Sequence, residues 1–186
     1  MSLTSTNSRT LFEENLFSKQ NCKDILNCLL QWEDKESYNE SSKYGVAAER
    51  LRKSFYSSVG DFENLSYLLL KKLKRFNIIN IPDDTMFIRY KKGCYFLPHK
   101  DTTPVNNPKN QRLYTAIIQL SESTDYQGGE LIVNGLSMSK NIGNFIMFRS
   151  NITHEVKKIT SGTRDIIVMM FNQNNFNQHT EKKSLL

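Results

Sequence analysis

From Thr85 to Phe171 the chain is a succession of short β-rich runs, and this density of strands sets the architecture more tightly than anything else in it. The runs are TMFIRY (85–90), RLYTAIIQL (112–120), ELIVNG (130–135), NFIMFR (144–149), THEVKKI (153–159) and RDIIVMMF (164–171). Turn signals separate them: Lys92-Gly93, the stretch from Pro104 to Asn110, Gly128-Gly129, Asn134-Gly135 and Ser161-Gly162. Asn-Gly between two short strands predicts a hairpin of type I′. Strands at this spacing predict a sandwich or barrel, with any helices packed on its outside.

Those helices are expected in the first half, which makes the fold mainly β with N-terminal helices (α+β). Ser18 is positioned as the N-cap of a helix carrying Cys22, Ile25, Leu26, Leu29 and Leu30 to the neighbourhood of Trp32, with Phe17 stapling its first turn. A second helix, capped by Asp61, runs through Leu65, Leu68, Leu69, Leu73 and Phe76. The polar segment DKESYNESSKYG (34–45) between them reads as a loop, and AERLRKSFYSS (48–58) is ambiguous between strand and helix. We expect one domain over 1–186: helical support at about 11–80, a β core at about 81–173, and a polar tail at 174–186 that frays.

Composition narrows the classes. No apolar stretch approaches the ~20 residues that span a bilayer, and MSLTSTNSRTLFEENLF lacks the basic and apolar regions of a secretory leader. Three cysteines, none in a CxxC pair, favour a reducing, cytoplasmic setting. The net charge of +6 draws on runs such as Lys71-Lys72-Leu73-Lys74-Arg75, which read as a solvated helix face or as contact with an acidic partner or nucleic acid.

The candidate chemistry begins at CYFLPHKDTT (94–103). Side chains at i and i+2 of a strand share a face, so His99 and Asp101 can reach one ion. His154, in a second β-like segment, supplies a third ligand. Two histidines and one carboxylate on one face of a metal leave positions open, the pattern of non-haem Fe(II) oxygenases. His179, the remaining histidine, falls in the polar tail. Ten residues after His154 stands Arg164. If Thr160 to Gly162 form a three-residue hairpin loop, 159 pairs with 163, 154 lies across from 168, and Arg164 points into the cavity that holds the metal. A buried guanidinium needs an anion, and its fork matches a carboxylate; the alternative is a protein acid such as Glu130.

His99-Lys-Asp101, His154 and Arg164 in this order resemble the signature of the Fe(II)/2-oxoglutarate dioxygenases. RYKKGCYFLPHKD resembles the prolyl 4-hydroxylase pattern of tyrosine, glycine and HxD; YTAIIQLSESTDYQGGELIV and GNFIMFRSNITHEVKKITSGTRDIIVMMF resemble the GGEL turn and the closing segment of the same superfamily. The resemblance covers roughly residues 85 to 172. It implies a double-stranded β-helix (a jelly-roll, cupin-like core) with Fe(II) held by His99, Asp101 and His154 at its mouth. It implies 2-oxoglutarate as cosubstrate, its far carboxylate on Arg164, with Tyr90 and Thr115 facing it or serving as core residues. It also implies O2 as co-reactant, ascorbate as a reductant, and hydroxylation of a C–H bond coupled to decarboxylation of 2-oxoglutarate to succinate. Related halogenases have a small residue where this chain has Asp101, which favours hydroxylation.

The same resemblance favours prolyl residues of a protein or peptide as substrate, with Arg112 and Arg52 near an extended peptide at the mouth, in a monomer without membrane contact. A hydroxylase of a free amino acid or other small molecule is the alternative, because loops such as Thr102 to Gln111 set pocket size. A nucleic-acid demethylase fits less well: such enzymes carry a second arginine six residues after the first, and this chain has Met170 there. A non-catalytic jelly-roll binding module would have lost a ligand or the arginine, and all four are present.

Overall fold

In β4 (Thr85–Lys91) the side chains of Met86, Ile88 and Tyr90 join one apolar cluster and Phe87 joins another. The same split runs through β6 (Tyr114–Gln119), β10 (Asn144–Arg149) and β12 (Ile159–Phe171). Ile117, Ile146, Phe148, Ile166, Val168 and Met170 face the inside of the roll, while Ala116, Ile118, Phe145, Met147, Ile167 and Met169 face the helices. These strands are covered on both sides, which is why they read as continuous apolar runs and not as alternating ones.

The structure is a computed structural model that describes residues 11–30, 37–42, 45–52, 60–102 and 108–177. The remaining strands are β1 (Leu11–Asn15), β2 (Ser37–Ser42), β3 (Gly45–Arg52), β5 (Tyr95–His99), β7 (Tyr126–Gly128), β8 (Leu131–Val133), β9 (Leu136–Ser137) and β11 (His154–Val156); the helices are α1 (Lys19–Leu30) and α2 (Gly60–Leu73). The antiparallel path runs β1-β10-β6-β12-β4-β3-β5-β11-β8-β9, with β2 beside β3 and β7 beside β12. It curls into a jelly roll, one wall built on β12 with β4 and β6, the other on β5, β11 and β8.

The helices buttress one wall. Ser18 caps α1 as expected: its Oγ accepts from the Asn21 N–H at 3.1 Å, and its own N–H donates to Asn21 Oδ1 at 3.3 Å. Phe17, Cys22, Ile25 and Leu29 then pack with Leu65, Leu69 and Leu73 of α2 against Phe87, Phe145 and Phe171. Trp32 lies outside the described residues. α2 starts at Gly60, so Asp61 sits one residue inside it, and a 3-10 turn (Lys74–Phe76) carries the chain on to buried Phe76. Among the described residues no helix is long and apolar enough to cross a membrane.

Three expectations are corrected. The polar segment read as a loop contains β2, which hydrogen-bonds to β3, and the ambiguous segment after it is strand as far as Arg52. Polar side chains conceal a strand when its ladder lies at the margin of a sheet, where no apolar face is required. Ser161-Gly162 makes no hairpin turn. β12 is one strand of 13 residues, and its first part pairs with β7, Gly162 opposite Tyr126. Gly162 has φ +74°, and a Cβ there would lie 1.9 Å from the Asp125 carbonyl oxygen, so the glycine serves close approach, while the register shift of this ladder falls just before it, between Ile159 and Ser161. Finally, the start of the polar tail is docked. Asn172 caps a 3-10 turn at Gln173–Asn175, Asn175 Nδ2 donates to Asn80 at 2.8 Å, and Phe176 is buried. Asn134-Gly135 does form the expected hairpin, with φ of 50° and 80° between paired Val133 and Leu136.

Candidate metal centre and anion pocket

His154 of β11 lies directly across from His99 of β5, with Val133 of β8 on its other side. Asp101 lies beyond the end of β5. It is held by its backbone N–H, which donates to the Ser150 carbonyl at 2.9 Å, so that hook replaces the same-face strand geometry expected for HxD. One ligand atom from each of the three residues falls within 4.8 Å of the others. Asp101 Oδ1 is 3.5 Å from His99 Nε2, and Oδ2 is 3.3 Å from His154 Nε2.

The protons of both rings are placed by their surroundings. His99 Nδ1 lies 2.7 Å from the Leu97 carbonyl, and His154 Nδ1 lies 3.1 Å from the Ile152 carbonyl. A carbonyl only accepts, so each Nδ1 carries the hydrogen and each Nε2 presents its lone pair. Two lone pairs and a carboxylate aimed at one point are electron-pair donors without an acceptor, an arrangement that a cation resolves. Burial pushes the Asp101 carboxyl up, but the hydrogen bonds that His154 and His99 give it when their Nε2 carries a proton in place of a metal, with the Thr115 hydroxyl, outweigh burial and hold it well below the usual carboxylate range. Thr115 Oγ1 donates to Asp101 Oδ2 at 2.6 Å and lies 3.1 Å from Ser150 Oγ.

These residues form one end of a cavity of about 400 Å³, counting its open mouth. Its walls are apolar: Ile88, Phe96, Ile117, Leu131, Val156, Ile166, Val168 and Met170, with Tyr90. The interior face continues to Arg164, which is 2% exposed and pairs in register with Tyr90; its guanidinium carbon lies 5.7 Å from the Tyr90 ring centroid. Arg164 Nε donates to Gln119 Oε1 at 3.2 Å, whereas its Nη1 is buried without a partner. A buried cationic donor left unmatched is costly, and an anionic oxygen satisfies it.

Of the other expected residues, Thr115 is committed to Asp101. Arg112 is engaged within the chain: Nη2 donates to Asp84 and Nη1 to the Asp101 carbonyl at 3.3 Å, so it braces the segment carrying Asp101. Arg52 lies on β3 opposite Met86. Sequence reasoning missed Gln119 and Tyr126, which complete the polar group around Arg164; Gln119 Nε2 donates to the Tyr126 hydroxyl at 2.9 Å. Gln119 lies two residues beyond Ile117 and four beyond Thr115, a same-face spacing that could have pointed to it; Tyr126 has no such signal.

Residues 85–172 match the family described as the 2OG-Fe(II) oxygenase superfamily. This segment belongs to that superfamily. A 2OG-Fe(II) oxygenase uses iron(II) and 2-oxoglutarate, and the His99–Asp101–His154 group with the unmatched Arg164 fits both. A PKHD-type hydroxylase of Picosynechococcus sp. is 31% identical over 87 residues, 45% of this chain and 39% of that protein. The chain spans 39% to 52% of the length of the first curated relatives it matches. A prolyl-4-hydroxylase from Pseudomonas putida shares the fold with a TM-score of 0.67 at 12% identity, covering 89% of this chain and 94% of that one. A Trichoplax adhaerens prolyl hydroxylase, solved with a peptide fragment of the hypoxia inducible factor oxygen degradation domain, also gives 0.67, at 16% identity over 95% and 89% of the two chains.

Proposed function

We propose that the protein is an Fe(II)/2-oxoglutarate-dependent hydroxylase acting on prolyl residues of a protein or peptide. The observation that carries the proposal is the pairing of a three-ligand cluster with a buried, unmatched Arg164 Nη1 along one interior face. The curated relatives and the fold neighbours named above, prolyl hydroxylases among them, support the choice of proline.

His99, Asp101 and His154 hold the metal, and the Leu97 and Ile152 carbonyls keep both imidazoles in the tautomer that can ligate it. Thr115 fixes the Asp101 carboxylate, and Arg164 anchors the far carboxylate of 2-oxoglutarate. When bound, iron and 2-oxoglutarate supply the oxidant: one oxygen atom of O2 enters the substrate C–H bond, and the other enters succinate as carbon dioxide leaves. The aliphatic walls exclude water from the space where the target carbon is held. Buried thiols such as Cys22 and Cys94 fit a reducing compartment such as the cytoplasm, where ascorbate or another reductant keeps the metal ferrous.

The test is incubation with Fe(II), 2-oxoglutarate, ascorbate and either proline-rich peptides or free proline, reading succinate and the mass of one added oxygen. Peptide oxidation is expected. Oxygen gained by free proline alone overturns the peptide assignment. No succinate, together with Fe(II) binding indifferent to His99→Ala, overturns the enzyme.

A further inference from the structure

The donors and acceptors around Arg164 do not balance, and the imbalance assigns a residue. Arg164 Nε can only donate, so the Gln119 atom 3.2 Å from it is the amide oxygen, and the amide NH2 therefore faces Tyr126 at 2.9 Å. The Tyr126 oxygen accepts that bond and sits beside the Arg164 charge. Both neighbours are donors to it, so the phenolic hydrogen is directed away from them. Burial pushes the Tyr126 phenol above its ordinary value against the opposing pull of Arg164, so that hydrogen is present at neutral pH. Arg164 Nη1 is the other unmatched donor of the group.

Two donors, one of them cationic, enclosed by apolar walls, complement a carboxylate with its two oxygens. A second cation lies over the phenol ring. Lys140 Nζ lies 4.2 Å from the Tyr126 ring centroid and is held there by a hydrogen bond to the Gly128 carbonyl at 2.9 Å. A cation over the ring face draws electron density from the hydroxyl and makes it a stronger donor.

We propose that Tyr126 is the second donor to the far carboxylate of 2-oxoglutarate, with Gln119 setting the direction of its hydroxyl and Lys140 strengthening it. The proposal rests on the reading of Arg164 as the anchor. Thr115 gives its hydrogen to Asp101, so it does not duplicate this role. Tyr126 thereby contributes to the choice of a dicarboxylate over a 2-oxo acid that ends in a methyl group.

Calorimetric titration of Mn(II)-loaded protein with 2-oxoglutarate and with 2-oxopentanoate, which has the same chain length without the far carboxylate, tests this. In Tyr126→Phe the 2-oxoglutarate dissociation constant rises about tenfold or more, the value for one lost hydrogen bond to a charged group. Binding of 2-oxopentanoate and of Mn(II) stays as in the parent protein. Lys140→Met shifts 2-oxoglutarate in the same direction by less. Unchanged 2-oxoglutarate affinity in Tyr126→Phe, with a loss in Arg164→Lys, overturns Tyr126 and leaves the anchor standing. No loss in either overturns both. Equal losses for both oxo acids and for metal make Tyr126 a packing residue and also overturn the proposal. Should Tyr126→Phe fail to fold, 3-fluorotyrosine at 126 keeps the hydroxyl, strengthens it as a donor and tightens 2-oxoglutarate; unaltered affinity there overturns the assignment.

Discussion

His99 and His154 are opposite one another on the β5–β11 ladder, ring centroids 4.2 Å apart, and each sends Nδ1 to the carbonyl two residues before it. The two imidazoles are thus oriented by the same local device on two different strands. Replacing either ring with alanine removes a proposed ligand and gives up only one ring contact to the core, with Phe96 or with Phe148. We expect His99→Ala and His154→Ala to keep the thermal transition within a few degrees and to lose Fe(II) binding and succinate release. Titration with Fe(II) or Mn(II) checks it, and parental affinity in either variant would remove that residue from the site.

Thr115→Val preserves shape and deletes the hydroxyl that fixes Asp101. Outer groups of this kind are worth about 10–100-fold in metal affinity. We expect a fall of about tenfold, read by the same titration, with Arg164-dependent binding of 2-oxoglutarate retained once metal is saturating.

Gly162→Ala is the sharpest test of the corrected β12. The positive φ and the Asp125 carbonyl in the path of a Cβ predict a loss of about 3 kcal/mol or more. Urea unfolding measures it. A hairpin turn at this position, which the sequence suggested, would tolerate alanine far better.

Cys22 gives a pH dependence. Burial pushes its thiol up to about 11, and the Gly143 backbone opposes this. An unfolded cysteine titrates near about 8.5, so above that pH the unfolded chain releases a proton that the folded one keeps. Stability therefore declines from about pH 8.5 as the pH rises toward about 11. Cys22→Ala should flatten this part of a melting-temperature profile. An identical decline in the variant would assign the effect elsewhere.

The residues proposed as ligands and anchor could be picked out because their chemistry is rare and ordered: HxD, a distant histidine and an arginine ten residues later. Periodicity also served α1, where Ser18 and the spacing of Cys22, Ile25 and Leu29 left little choice. Ser161-Gly162 misled because a glycine at positive φ reads alike in a turn and in a strand that another strand crowds; only the Asp125 backbone distinguishes them. β2 was hidden by its polar side chains, since its pairing with β3 is a backbone matter. Arg112 was expected beside a peptide because its partner Asp84 is 28 positions away, and an ion pair leaves no local pattern. Tyr126 lies within a stretch that resembles the superfamily, but the role proposed for it depends on which way Gln119 turns its amide.

β12 is the last of the described strands along the chain, yet it sits between β4 and β6 on one wall and reaches β7 with its beginning. During synthesis, β4 and β6 emerge with the slot between them empty, their apolar faces and ladder edges unclaimed. They stay so until the stretch ending at Phe171 clears the ribosome. Chain growth from one end thus delivers the keystone after the arch, and until then the nascent chain is a natural client for chaperones that shield exposed strands.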